Sequence, residues 1–436
     1  MNSDSELFQP ESIQSYRDVA LFCIEKLEAN NYEAYVVGGT VRDIFLGREI
    51  SDLDLATSAQ PQEVHEVFST FRVLDTGIRH GTVTLLIPVE GKANFQVEIT
   101  TYRLESTYSD ARRPDRVEFT TSIEEDLARR DLTINAMAWH PRRGLQDPYG
   151  GQADLKAELL RAVGAPEERF EEDALRILRT LRFAAELGFK IEEATDRSLR
   201  EKQERLKLIA VERLQVEFFR LITAAYAPRV LDKYWQVIAV FLPEFNKFAD
   251  SALRTKYLPQ LASLPPLPAE RLAYLVAVFY LHGDVGAPVK RTGLPAASLC
   301  RDLKCSKKLS DEIFVLSKYS ARSIQADRVS VDAARQELDS VGRSFKEILE
   351  IKRLLGRTRE EELEEMEQID QELSAAGLLG IKSLTLDGRD LLELGFKGEA
   401  IGEALNKLYT AVLCESLANE KDALLERAES YRRSGN

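Results

Sequence analysis

The sequence predicts an α+β protein, with a mixed α/β head over roughly the first 150 residues and an all-helical remainder. Three observations carry this. Between Glu33 and Tyr102, short apolar runs alternate at period two, as half-buried strands do. After the turn cluster Asp147-Pro-Tyr-Gly-Gly151 the pattern changes, and from about Asp154 it keeps a 3.6 period almost to the end. The length, 436 residues, exceeds one ordinary domain. A division between residues 1–150 and the helical remainder is expected.

Glu33 to Val37 reads as a short strand ending in Gly38-Gly39, with a helix expected to begin near Val41. Leu53 and Leu55 alternate with Asp52 and Asp54, and Gly81 to Val89 and Phe95 to Tyr102 are further strands. Tyr102 to Phe119 is polar and without periodicity, a long loop of the kind that is more often functional than idle. Glu172 to Arg182 reads as one amphipathic helix. Glu172, Asp173, Arg176 and Arg179 lie on its polar arc, Leu175, Ile177, Leu178 and Leu181 on the buried face, and Arg182 at the margin. Pro259 and the Leu264-Pro-Pro-Leu-Pro268 segment mark a break within the helical part.

Composition narrows the function classes. Apolar content of 44% and charged content of 30% suit a globular protein in water, and no run approaches the ~18 apolar residues of a membrane span. The N-terminal residues carry acid where a signal peptide would carry base, so a cytosolic protein is expected. Cys23, Cys300, Cys305 and Cys414 are scattered and expected to be reduced thiols. Only four histidines are present and no His-Asp doublet, which argues against an appended metal-dependent phosphohydrolase. A net charge of −13 argues against coating nucleic acid non-specifically. Local base still permits RNA contact, and Arg103 to Arg130 and Arg176 to Arg182 supply it. The acidic run Glu360 to Glu372 reads as a solvated helix face.

The chemistry concentrates in Gly38-Gly39-Thr-Val-Arg42-Asp43 followed by Asp52-Leu-Asp54. Residues i and i+2 of a strand share a face, so Asp52 and Asp54 project together. Paired carboxylates repel unless a cation intervenes, and Mg²⁺ takes such hard oxygen ligands while bridging nucleotide phosphates. The Gly-Gly turn lets backbone N–H groups approach a triphosphate, and Arg42 is a cationic clamp. Separately these features read as surface acid and a turn. In this order and spacing they are the parts of phosphoryl transfer.

The stretch Val36-Val-Gly-Gly-Thr-Val-Arg-Asp-Ile-Phe-Leu-Gly47 with Ser-Asp-Leu-Asp-Leu-Ala-Thr57 resembles the tRNA nucleotidyltransferase and bacterial poly(A) polymerase branch of the DNA polymerase beta superfamily. The resemblance implies that superfamily's nucleotidyltransferase head, followed by a helical neck, body and tail. It implies two-metal catalysis with Mg²⁺ on Asp52 and Asp54, and Glu98 of Val97-Glu-Ile-Thr-Thr101 as third carboxylate. Arg129-Arg-Asp-Leu-Thr-Ile-Asn-Ala136 and Asp147-Pro-Tyr-Gly-Gly-Gln-Ala-Asp154 also match family motifs. Arg130 is thereby expected at the triphosphate, and Asp131 and Asn135, one helical turn apart, at the ribose; structurally they can also cap and pair a helix.

Glu172-Asp-Ala-Leu-Arg176 matches the family's Glu-Asp-x-x-Arg motif, a nucleotide-selecting element, and ordinary ion pairing along a helix is the plainer reading. The Asp173 carboxylate can accept from an exocyclic amino group while Arg176 donates to ring acceptors. Cytosine and adenine both present an amino group there, whereas uracil and guanine present a carbonyl that Asp173 would repel. Arg179 and Arg182 are expected at nucleotide phosphates, as in the family. The loop Tyr102 to Phe119 resembles the loop used for adding the terminal A. Ala210 to Ile222 resembles the helix closing the neck, which implies a division of the helical remainder into 151–225 and 226–436. Leu386 to Gly395 and Ile401 to Leu405 resemble the tail that receives the tRNA elbow, and Arg301, Lys304, Lys307 and Lys308 form a candidate phosphate patch.

The implied activity is template-independent addition of C, C and A to tRNA from CTP and ATP, with release of pyrophosphate. Three alternatives stay open: an A-adding enzyme with a separate CC-adding partner, a poly(A) polymerase, and an inactive tRNA-binding protein. Asp75-Thr-Gly-Ile-Arg-His-Gly-Thr-Val-Thr84, leading into the strand from Gly81, resembles the tRNA-enzyme form of this segment rather than the poly(A) polymerase form, and no long basic C-terminal extension is expected. The retained carboxylates and Asp–Arg pair argue against an inactive scaffold. No membrane partner is expected, and no oligomeric state is assigned.

Overall fold

The computed structural model describes residues 15–50, 52–88, 94–105, 117–282 and 295–434. Helix α1 (Tyr16–Glu28) starts at a capping box, in which Ser15 accepts from the Asp18 N–H and the Asp18 carboxylate accepts from the Ser15 N–H. It buries Val19, Phe22, Cys23, Ile24 and Leu27 and packs on the first two strands, β1 (Ala34–Val37) and β2 (Leu53–Thr57). Between these strands lies α2 (Gly39–Phe45), which begins two residues earlier than its sequence suggests because Gly38, not a side-chain cap, turns the chain.

The head continues through α3 (Pro61–Val67), β3 (Arg72–Gly77), β4 (Thr82–Ile87), β5 (Phe95–Thr101), the β6–β7 hairpin (Arg103–Glu105, Val117–Phe119), α4 (Ile123–Ala128), β8 (Ala138–His140) and β9 (Gly144–Gln146). Seven of these strands form one sheet in the order β3-β4-β5-β2-β1-β8-β9. The β2–β5 pair is parallel and the others antiparallel, so the sheet is mixed. Strands β3, β8 and β9 go beyond the sequence reading. β3 alternates in neither burial nor hydropathy, and three-residue strands show no period.

The segment read as a structureless loop needs correcting at both ends. Val117-Glu-Phe119 is favourable strand sequence and pairs with Arg103-Leu-Glu105, and the Thr120 N–H closes the hairpin on the Tyr102 carbonyl. Residues 106–116 of that segment lie outside the described residues.

Asp147-Pro-Tyr-Gly-Gly151 leads into α5 (Gly151–Lys156), its aspartate accepting from the N–H groups of Gly151 and Gln152. Gly151 has no room for a side chain, since a Cβ there would lie 2.2 Å from the Thr133 carbonyl oxygen. A two-residue parallel pair, β10 (Leu159–Leu160) and β11 (Lys190–Ile191), brackets α6 (Pro166–Glu172) and α7 (Leu175–Leu187). Then come α8 (Glu193–Lys202) and α9 (Val211–Thr223), the latter packed on α7.

The chain divides into two units, Met1–Tyr226 and Ala227–Asn436. The second is helical throughout its described residues. It comprises α10 (Ala227–Ala239, broken at Tyr234), α11 (Ser251–Tyr257), α12 (Pro268–Leu281), α13 (Pro295–Asp302), α14 (Lys307–Ala321), α15 (Arg328–Ser340) and α16 (Phe345–Leu355). It ends with α17 (Glu360–Ala375), α18 (Gly388–Glu393), α19 (Glu399–Leu413) and α20 (Lys421–Ser434). Helix α12 is buried on nearly every side, as an apolar helix at the centre of a bundle should be. Its Glu270 joins Glu312 and Glu347 around the Arg343 guanidinium. No helix among the described residues is long and apolar enough to cross a membrane.

Candidate active site

A cavity of about 820 Å³ in the first unit has two walls, one made of strands and one of helices. On the strand wall, β2 and β5 run parallel and in register, setting Asp54 directly beside Glu98. Leu53 and Leu55 point the other way into the core, while Asp52 precedes the strand and is exposed. Thr40 ties the glycine turn to these acids, its hydroxyl donating to the Asp52 carbonyl and accepting from the Asp54 N–H, each at 3.0 Å. Gly38 has φ +66°, a conformation that favours glycine, and a Cβ there would lie 2.7 Å from Arg130 Nη1 and push that guanidinium aside.

Burial, reinforced by the neighbouring Glu98 carboxylate, pushes Asp54 up to about 6; Arg130 opposes this and Asp52 adds to it. Among the described residues no three Asp, Glu, His or Cys side chains are drawn together as a ready metal shell. The donor set nevertheless fits a hard divalent cation: adjacent carboxylates in a cavity wall, one of them charged only at a cost that Arg130 and Arg42 offset in part.

The helical wall is wired differently. Asp131 and Asn135 do meet, with Asn135 Nδ2 donating to Asp131 Oδ1 at 3.2 Å. They do so around a 3₁₀ turn (Thr133–Asn135), not along an α-helix, because the chain leaves Leu132 extended. Arg179 donates from Nε to Asp131 Oδ2 at 2.8 Å and from Nη1 to Glu217 at 3.3 Å. Burial alone would raise Asp131, but the Arg179 guanidinium and the Asn135 hydrogen bond outweigh it and hold the carboxyl far below its usual range. Arg42, expected as an open clamp, is held bidentately by Asp43 and donates from Nη1 to Asn135 Oδ1 at 2.8 Å. Arg130 and Arg129 share the buried Asp126, which burial would raise and the two guanidiniums hold low.

The segment Glu172 to Arg182 is two helices and not one. Asp173 adopts an extended conformation (φ −141°, ψ 102°) between α6 and α7, and its Oδ1 accepts from the Leu175 N–H at 3.0 Å. An aspartate capping the following turn interrupts the helix and swings Glu172 away from the cavity lining. Asp173 Oδ2 accepts from Arg213 Nη2 at 2.6 Å. Arg176 is buried, not on a solvated arc, donating to Glu172 at 2.7 Å and to the Arg129 carbonyl at 2.8 Å. Arg182, expected at the margin, is 2% exposed. It is bound to Glu217 and Glu186 and lies with its guanidinium 3.9 Å from the Phe183 ring centre.

Thirteen of the fourteen head and neck residues picked from sequence line this cavity, Glu172 being the exception. Sequence reading missed Arg213, Glu217, Asp126 and Arg129 as its supports. Glu217 and Arg213 lie on one face of α9, and a charged residue at 7% exposure (Glu217) on an otherwise apolar face was the available signal. The wall chemistry is strongly cationic, nine arginines against six carboxylates. In the second unit, Arg301, Lys304, Lys307 and Lys308 are exposed around the turn between α13 and α14, with Arg301 paired to Asp302.

A mixed-sheet head carrying strand carboxylates opposite an arginine-rich helical wall defines a nucleotidyltransferase. Its residues 34–161 match the family described as "Poly A polymerase head domain", and residues 188–248 match "Probable RNA and SrmB- binding site of polymerase A". Residues 289–428 match tRNA nucleotidyltransferase domain 2. The chain is 34% identical to the CCA-adding enzyme of Ligilactobacillus salivarius, over 94% of this chain and 95% of that protein. It is 36% identical to that of Latilactobacillus sakei subsp. sakei, over 94% and 97%. The crystal structure of the Bacillus stearothermophilus CCA-adding enzyme in complex with CTP superposes with a TM-score of 0.76 at 27% identity, covering 97% of this chain and 99% of that one. The chain belongs to the CCA-adding enzyme family.

Proposed function

We infer that the chain adds C, C and A in turn to the 3′ end of tRNA, consuming CTP and ATP and releasing pyrophosphate. The observation that carries this is one cavity in which the Asp54–Glu98 strand wall faces Asp173, Arg176 and Arg179. Relatives named CCA-adding enzymes match nearly the whole chain and support it. Asp52 and Asp54 would hold Mg²⁺, with Glu98 beside them; when bound, the ion would neutralise triphosphate charge and favour ionisation of the attacking hydroxyl. The Gly38-Gly39 turn and Arg130 border the same wall and meet the triphosphate, and Asn135 and Asp131 meet the ribose.

Base choice falls to Asp173 and Arg176. The Leu175 N–H and Arg213 fix the Asp173 carboxylate, yet each oxygen keeps a second acceptor site for an exocyclic amino group. Arg176 is oriented by Glu172 and by backbone carbonyls, and its guanidinium is the candidate donor to the ring acceptors of the base edge. Arg179 and Arg182 are braced by Glu217 and hold positive charge toward the nucleotide phosphates. The α13–α14 cations and the α18–α19 segment are the tRNA-binding candidates of the second unit. The same reading puts the chain in the cytoplasm, which the bacterial relatives support.

The match of the head to a poly(A) polymerase family favours one second reading, addition of A tails. Primer extension on tRNA transcripts ending before CCA, after C and after CC separates the two. Ordered addition of CCA followed by arrest supports the first reading. Long A tails on arbitrary RNA replace it with the second, and extension of only the CC-ended transcript makes the chain an A-adding enzyme.

A further inference from the structure

A second cavity, of about 130 Å³, lies within the second unit where α14 and α16 end and α17 begins. It is well above the ~10–15 Å³ that admits one water, and it is polar. Lys352, 3% exposed, reaches it from the last turn of α16. Its ammonium donates to the Arg322 carbonyl at 2.6 Å, one acceptor for a group with three donors. Ser320, 4% exposed on α14, also lines the cavity, and its hydroxyl has no hydrogen-bond partner. The exposed Arg322 and Arg357 stand at the edge with Thr358, against a single carboxylate, Glu362.

Burial pushes Lys352 down to about 8, with Glu362 opposing, so the protein keeps a costly cation where an apolar residue would pack. A further cation would be repelled. A tetrahedral anion satisfies every unfilled group at once, accepting from the ammonium, the hydroxyl and the two guanidiniums. We propose that this cavity binds one phosphate-type oxyanion, held inside by Lys352 and Ser320 and at the rim by Arg322 and Arg357. The phosphate is either a free ion or one group of an RNA backbone. Neither source requires the catalytic cavity, so the proposal stands apart from the reading of that site.

The test is calorimetric titration of the full chain with inorganic phosphate, against chloride at matched ionic strength. Lys352→Met is expected to weaken the phosphate isotherm roughly tenfold or more, the value of one charge-assisted contact in a buried site. Ser320→Ala, a milder change, is expected to weaken it several-fold, and Lys352→Arg to restore part of it. Unfolding midpoints report whether each variant is folded. No specific phosphate binding by the wild-type chain, or an unchanged isotherm in both Lys352→Met and Ser320→Ala, would overturn the proposal. Among supporting outcomes, weakened tRNA affinity with a shallower salt dependence in Lys352→Met assigns a backbone phosphate, and unchanged tRNA affinity assigns a free ion.

Discussion

The two walls of the candidate active-site cavity solve opposite electrostatic problems. On the helical wall the carboxylates are matched in place: Asp131 by Arg179, Asp126 by Arg129 and Arg130, Asp173 by Arg213. On the strand wall Asp54 is raised to about 6 by burial and by Glu98, with Arg130 compensating only in part. One wall is neutralised from within; the other keeps a carboxyl whose charge burial and Glu98 oppose. On the proposed reading, the geometry for choosing a base would thus be preset, while the strand carboxylates would be completed by a bound metal ion.

The largest effect should come from the strand wall. Asp54→Asn is expected to lower nucleotide transfer by about a thousandfold or more while leaving tRNA binding intact, measured by single-turnover extension and gel shift. The same substitution should raise the metal-free unfolding midpoint at neutral pH. A carboxyl whose folded value lies above its unfolded one loses stability as pH rises from about 4 to about 6, and the amide removes that loss, worth up to about 3 kcal/mol. A lower midpoint in Asp54→Asn would show that the carboxylate is not strained in the metal-free protein.

Glu217→Gln breaks the helical wall, leaving Arg179 and the buried Arg182 undercompensated. A loss of about 3 kcal/mol in stability is expected, with a raised KM for CTP and ATP together. Gly38→Ala should cost about 1–2 kcal/mol through its positive φ and raise KM by displacing Arg130. Smallest is the pH effect at limiting Mg²⁺: activity should fall about tenfold per unit as pH drops below about 6, because a proton then competes for Asp54. Saturating Mg²⁺ should push that fall to lower pH.

How much of this was legible in the sequence follows the same division. The strand wall was readable because a strand's period of two fixes which side chains share a face: Asp52, Asp54 and their apolar alternates need no other information. Glu98 entered only through resemblance, since pairing β5 beside β2 is a long-range fact. On the helical wall, helical periodicity in the sequence runs straight through Asp173, but a local side-chain cap there overrides it. The supports Arg213 and Glu217 lie some 40 residues from their partners, so a charge on the apolar face of α9 marks Glu217 as unusual without showing what it pairs with. Strands β8 and β9 escaped because three residues hold no period.

The division of labour between the walls is tested most directly by competing UTP and GTP against CTP and ATP in single-turnover extension by the wild-type chain and Asp173→Ala. Uncompensated base reading by Asp173 is worth about 1–3 kcal/mol, so misincorporation of U or G is predicted to rise about ten- to a hundredfold relative to C and A. A variant that slows on all four nucleotides by one common factor, with unchanged ratios, would contradict the account and return Asp173 to a purely structural role.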